Sequence, residues 1–161
     1  MAKQKEIKTN AMRILDRMKI EYTHDSYVCE DFVDGVQTAD KLGLPHERVY
    51  KTLVTIGSSK QYFVFVIPIE AELDMKKAAK AVGEKSVAMI HVKDINAVTG
   101  YIRGGCTAIG MKKQYKTVVS RTAAGLDKIY VSGGKIGCQI SLKPDDLLKA
   151  SSAVYGDIIV E

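Results

Sequence analysis

The stretch that most constrains the fold runs from Tyr50 to Ile69. Two β-type segments, Tyr-Lys-Thr-Leu-Val-Thr-Ile and Tyr-Phe-Val-Phe-Val-Ile-Pro-Ile, flank Gly57-Ser58-Ser59-Lys60. Runs of this kind around a short Gly-containing connection predict a hairpin. The second run is apolar on both faces, which places it in the middle of its sheet. A hairpin at that position argues against an all-parallel, doubly wound sheet.

Helical signals surround this hairpin. Thr9 is read as the cap of an amphipathic helix in which Ala11, Ile14, Leu15 and Met18 recur at helical spacing, ending near Lys19. A strand over 22–28 follows. Asp34 and Gly35 open a second helix, with Val36, Ala39 and Leu42 on its apolar side and Gly43 as its stop. Asp74 caps a third helix over 75–82 that Gly83 closes, and Asp94 is read as the cap of a short helix ending before Gly100. Strands are expected over 116–120, 128–132 and 136–142, with a turn at Ser132-Gly133-Gly134-Lys135. Pro144 suits the first turn of a helix through 149, and a last strand is expected over 157–160. The order is mixed α and β. With no linker, repeat or low-complexity segment, the expectation is one α/β (α+β) domain over 1–161.

Composition excludes several classes. The longest apolar stretch, 63–69, is far too short to cross a bilayer. The opening Met-Ala-Lys-Gln-Lys-Glu-Ile-Lys-Thr-Asn lacks the apolar core of a signal peptide, so the expected address is the cytoplasm. Cys29, Cys106 and Cys138 are odd in number and widely spaced, against a disulfide framework or a zinc site. His24, His46 and His91 are not at ligand spacing, so no metal and no cofactor is expected. The formal charge of +5 permits a phosphate-bearing partner without requiring one.

Three places could carry chemistry. Gly104-Gly105 sits in the stretch Gly-Tyr-Ile-Arg-Gly-Gly-Cys-Thr-Ala-Ile-Gly-Met-Lys-Lys-Gln (100–114). Bare backbone there could present N–H groups to a carbonyl or oxyanion, or it could form an ordinary tight turn. Lys51, at the start of an apolar strand, could stabilise developing negative charge or simply face solvent. Cys106 lies between glycines and positive charge, but no histidine is close in sequence; a structural or pocket-lining thiol is the better reading. No nucleophile elbow, phosphate-binding loop or His-Glu-x-x-His motif is present.

Taken together, four ordered motifs resemble the YbaK family, freestanding relatives of the prolyl-tRNA synthetase editing domain. They are Lys51-Thr52-Leu53, Leu73 to Gly83, Gly100 to Gly105 with the following Gly110 and Lys112-Lys113, and Ile129 to Lys135. The match runs from about Thr9 to the C-terminus. The resemblance implies a mixed, barrel-like sheet surrounded by helices. It implies an aminoacyl-tRNA deacylase that removes cysteine misattached to tRNA(Pro), or another small amino acid. The family's essential lysine falls on Lys51, its essential glycine on Gly104, and a pocket tyrosine on Tyr27. Thr52, Gly105, Cys106 and Thr107 would line the substrate, and Arg103, Lys112 and Lys113 would meet the tRNA end. Mischarged tRNA(Pro) is the implied partner, with prolyl-tRNA synthetase as a candidate second; no membrane or metal is implied.

The same resemblance accounts for the absent acid–base machinery. The substrate cysteine's own thiol attacks its ester carbonyl, so the chemistry is a lyase-type cyclisation, with hydrolysis as the alternative. The protein need only orient the ester and stabilise an oxyanion. One departure stands out: many relatives read Gly-Gly-x-Ser-Pro, whereas here the chain reads Gly105-Cys106-Thr107-Ala108. Losing the proline removes a fixed φ and bears on which amino acid is preferred. Two other readings compete with the deacylase: a non-catalytic module that binds tRNA or a synthetase, and a redox protein using Cys106.

Overall fold

In a computed structural model of the chain, residues 8–26 and 35–161 are described. Several of the local signals appear as caps; Asp34 lies outside the described residues. Helix α1 spans Asn10–Arg17, and the Thr9 hydroxyl accepts the Met12 N–H at 3.2 Å. Helix α2 spans Gly35–Leu42 and ends at Gly43, whose φ is +68°. Helix α3 spans Met75–Val82; Asp74 accepts the N–H groups of Lys76 and Lys77, and left-handed Gly83 stops it. Helix α4 is short, Ile95–Thr99, and helix α5 spans Pro144–Ser151 with Pro144 in its first turn. Asp94 precedes α4 as expected but makes no side-chain capping bond, because it closes a 3-10 turn over Val92–Asp94.

The strands form two sheets. One has the order β1 (Thr23–Ser26), β7 (Cys138–Leu142), β6 (Ile129–Ser132), all antiparallel. The other has the order β4 (Val87–Met89), β2 (Tyr50–Gly57), β3 (Tyr62–Pro68), β5 (Lys116–Ser120), β8 (Val154–Gly156). The expected hairpin is β2–β3, antiparallel, and β3 lies in the sheet interior with β5 parallel on its far side. Among the described residues the sheets join at one parallel bridge, Val49 to Tyr130. No closed barrel forms among the described strands.

Two expectations differ at the edges. Strand β4 is an addition, a three-residue edge strand on the end of β2. The last strand lies at 154–156 rather than 157–160. Val154 to Gly156 pair with β5, while Ile158 is buried in the second core and Ile159 makes a single bridge to Leu73.

Alternation along β3 divides the interior. Val64 and Val66 join α1, β6, β7 and α5 in one core; Phe63, Phe65 and Ile67 join α3 in another. A third, smaller cluster, Ala39, Val49, Ile69 and Tyr130, seals α2 over the bridge between the sheets. Among the described residues no helix is long and apolar enough to cross a membrane.

Candidate active site

Lys51 lies one residue into β2, opposite Ile67 of β3 and half-buried. Residues opposite one another in a ladder share a face, and faces alternate along a strand. Lys51 therefore shares its face with Val49, Leu53 and Thr55. Thr52, opposite Val66, takes the other face with Tyr50 and Val54, toward the first core. A group on the Lys51 side meets the backbone of Thr52 rather than its hydroxyl.

The bridge between the sheets extends this face. Val49 pairs with Tyr130 in parallel, and both pack in the third cluster. Two residues further along each strand are Lys51 and Ser132. Ser132 in turn pairs with Gln139 of β7, and Gln139 with Asp25 of β1. A row of polar residues, Lys51, Ser132, Gln139 and Asp25, thus crosses four strands on one face. Cys138 and Ile140, flanking Gln139, point to the first core instead. Ser132 and Gln139 were not anticipated as site residues. Ser132 lies in a turn signal and in the family-like segment Ile129 to Lys135, neither of which assigns it a role, and a lone glutamine carries no motif.

The 100–111 loop packs against the β6–β7 hairpin that follows Ser132. Its neck is closed where the Lys112 N–H donates to the Thr99 carbonyl at 3.0 Å. Within it, the Tyr101 hydroxyl donates to the Ile109 carbonyl at 2.5 Å, and the Asn10 amide donates to the Gly110 carbonyl at 3.1 Å. These contacts hold the loop in place with no proline in it. Gly104 is exposed and left-handed, with φ +85°. Gly105 is buried, and a Cβ there would stand 2.8 Å from the Lys135 Cα and 2.9 Å from its carbonyl carbon. The two glycines therefore do different work. Gly104 supplies the backbone turn, and Gly105 lets that turn press against the β6–β7 hairpin just beyond Ser132. The Gly105 N–H is already donated to the Ile102 carbonyl at 3.0 Å, so the pair is not a double amide cradle.

The remaining candidates divide by depth. Arg103, Lys112 and Lys113 are exposed. Thr107 is fully buried, and its hydroxyl accepts the Ile109 N–H within the loop at 3.4 Å. Cys106 is half-buried, and burial pushes its thiol up to about 11, only partly opposed by a hydrogen bond with Thr99. It is a neutral thiol at physiological pH, which disfavours the redox reading. Tyr27 lies outside the described residues, as does Cys29. Among the described residues no cluster of His, Cys, Asp and Glu could hold a metal ion.

The family model for the aminoacyl-tRNA editing domain matches residues 30–150. This chain belongs to the aminoacyl-tRNA editing domain family. A protein of Enterococcus faecalis is 45% identical over 160 residues, spanning 98% of both chains. Its provisional name is Cys-tRNA(Pro)/Cys-tRNA(Cys) deacylase EbsC. Two solved structures share the fold. One, a protein without an assigned function, has a TM-score of 0.82 at 20% identity, covering 92% of this chain and 97% of its own. The other, described provisionally as a trans-editing enzyme for prolyl-tRNA synthetase, has a TM-score of 0.79 at 18% identity, covering 95% and 99%.

Within an editing domain the polar row acquires a chemical sense. A small ester bound at its inner end, away from the exposed Asp25 on the edge strand β1, would meet one ammonium, one hydroxyl and one carboxamide. None of these is a strong base at neutral pH, and the Ser132 hydroxyl is already engaged, accepting the Gly134 N–H at 3.2 Å. Such a site can orient a substrate and stabilise negative charge; it is poorly equipped to generate its own nucleophile.

Proposed function

We propose that the chain is a trans-editing aminoacyl-tRNA deacylase whose first substrate is cysteine misattached to tRNA(Pro). The observation that carries this reading is the position of Lys51. It stands on the same face as Ser132, beside the hairpin that Gly105 allows the Gly104 turn to approach. The relative from E. faecalis, named for this activity and alike over nearly the whole chain, supports the same substrate class.

The chemistry asked of the protein is modest. The ester carbonyl lies toward the Lys51 ammonium and the exposed Gly104 turn. The substrate sulfur attacks the carbonyl carbon, forming a C–S bond, and the carbonyl oxygen carries negative charge in the tetrahedral state. Collapse breaks the C–O bond to the ribose. The thiol proton ends on the ribose oxygen, and cysteine leaves as a cyclic thioester. Holding sulfur and carbonyl in contact supplies the proximity, and Lys51 supplies the charge. The neutral, half-buried Cys106 has no part in bond making; with the buried Thr107 it shapes the loop wall from behind. Tyr27 and the Thr52 backbone complete the proposed enclosure. Arg103, Lys112 and Lys113 meet phosphates of the acceptor end. The reading places the protein in the cytoplasm, with prolyl-tRNA synthetase as a candidate partner for tRNA selection.

The test is release of amino acid from tRNA(Pro) charged in turn with cysteine, alanine and serine. Rapid release of cysteine alone supports the substrate-thiol route. Release of alanine or serine at similar rates keeps the deacylase and removes that route, leaving hydrolysis by water. Binding of all three without release favours the non-catalytic binding module.

A further inference from the structure

We propose that Gln139 recognises the α-amino group of the aminoacyl ester, and that this contact makes the protein select esters bearing a free amine. The inference rests on the deacylase reading above and assigns a second polar contact within that site. Its starting point is an unmet hydrogen bond. Gln139 is 7% exposed, and its Oε1 is the buried side-chain polar atom that finds no partner among the described residues. Buried oxygens are nearly always paired, and leaving one unpaired destabilises the empty fold.

The position of this oxygen indicates what it awaits. Gln139 stands between Ser132 on β6 and Asp25 on β1, on the face that carries Lys51. With Ser132 it forms the last β6–β7 ladder pair before the hairpin that abuts Gly105; its neighbour Cys138 turns inward to the core. An aminoacyl ester carries two hydrogen-bonding groups on either side of its α-carbon bond. The carbonyl oxygen only accepts, and the amine or ammonium donates. Lys51 only donates, which suits the carbonyl. The Gln139 oxygen only accepts, which suits the amine. The two residues are separated along the row by Ser132, so the ester can be held at both ends with its carbonyl fixed toward Lys51. Gln139 is thus a recognition residue, distinct in role from the charge-stabilising lysine.

The test is a double-mutant cycle between enzyme and substrate. The substrates are Cys-tRNA(Pro) and the same tRNA charged with 3-mercaptopropionate, which keeps thiol and ester but lacks the amine. The enzymes are wild type, Gln139→Met and Gln139→Glu, the last retaining an acceptor oxygen. Wild type is expected to favour cysteine in kcat/KM by roughly ten- to hundred-fold, the range of one buried hydrogen bond to a charged or strongly polar donor. Gln139→Met is expected to abolish that preference while its melting temperature stays equal or rises, because the orphaned oxygen has gone. Gln139→Glu is expected to restore the preference. An unchanged preference in Gln139→Met would overturn the proposal. So would an equal loss on both substrates together with a lower melting temperature, which is the mark of a purely structural glutamine. Release from neither acyl group by wild type counts against the deacylase reading itself, and is distinguishable from both.

Discussion

A Cβ placed on Gly105 would stand 2.8 Å from the Lys135 Cα, closer than non-bonded carbon atoms approach. The atoms it meets are backbone, so no side chain can swing aside. Gly105→Ala is expected to cost about 1–3 kcal/mol of stability and to displace the loop from the hairpin. Gly104→Ala meets a different obstacle, a φ of +85° at an exposed position, and is expected to cost about 1 kcal/mol. Denaturant melts of the two variants separate them; equal stability of Gly105→Ala and wild type would show that the hairpin contact is absent.

Cys106 gives a chemical handle on the same loop. Burial raises its thiol to about 11, two units above the ordinary 9.0, so its thiolate fraction below pH 9 falls roughly a hundred-fold. Alkylation of Cys106 by iodoacetamide at pH 7.5, followed peptide by peptide, is expected to be slow in the folded protein and to accelerate on unfolding. Cys106→Ala is expected to keep deacylation within a few-fold of wild type. A fast-reacting Cys106, or an inactive alanine variant, would restore the protein thiol as a reactant.

Much of this was legible in the sequence, and the reasons are local. Thr9, Asp74 and Gly83 act where they stand, through bonds to residues three or four away, so the caps of α1 and α3 follow from the letters. The apolar run of β3 announces its central place for the same reason. Strand β4 is three residues long, two of them exposed, and carries no period to read. The row from Lys51 to Gln139 depends on a bridge between residues 49 and 130, a relationship no local pattern encodes. In the sequence Gly104 and Gly105 read as a pair; only packing shows that one serves the turn and the other the contact.

His46 ties three segments together at the edge of α2. Its Nε2 lies 2.6 Å from Asp40 and its Nδ1 3.0 Å from Glu70. Hydrogen bonds to Asp40 first and Glu70 second raise its pKa above the ordinary 6.5. A raised histidine stabilises the fold fully below its unfolded pKa, and that contribution is lost as pH climbs through the folded value. The melting temperature of wild type relative to His46→Gln is therefore expected to be highest near pH 5.5–6 and to converge as pH rises past the folded value. A difference independent of pH would remove the ionic character of this contact.

Lys112 and Lys113 are exposed beside the neck of the loop. If each meets one phosphate of a single-stranded acceptor end, Lys→Ala at either position lowers the slope of log affinity against log salt by about 0.7. The loss should be blind to the amino acid attached, because phosphate contacts carry no such information. Filter binding of uncharged tRNA at several salt concentrations measures it; slopes identical to wild type would move the tRNA path elsewhere.

In the proposed mechanism Lys51 stabilises charge on a substrate that supplies its own nucleophile. Release of cysteine from Cys-tRNA(Pro), measured for wild type and Lys51→Ala side by side with tRNA affinity determined for both, tests it most directly. Rapid release by wild type and a fall of at least about 100-fold in the variant are expected, with tRNA affinity within a few-fold. Equal release by both proteins, or binding without release by either, would contradict the mechanism.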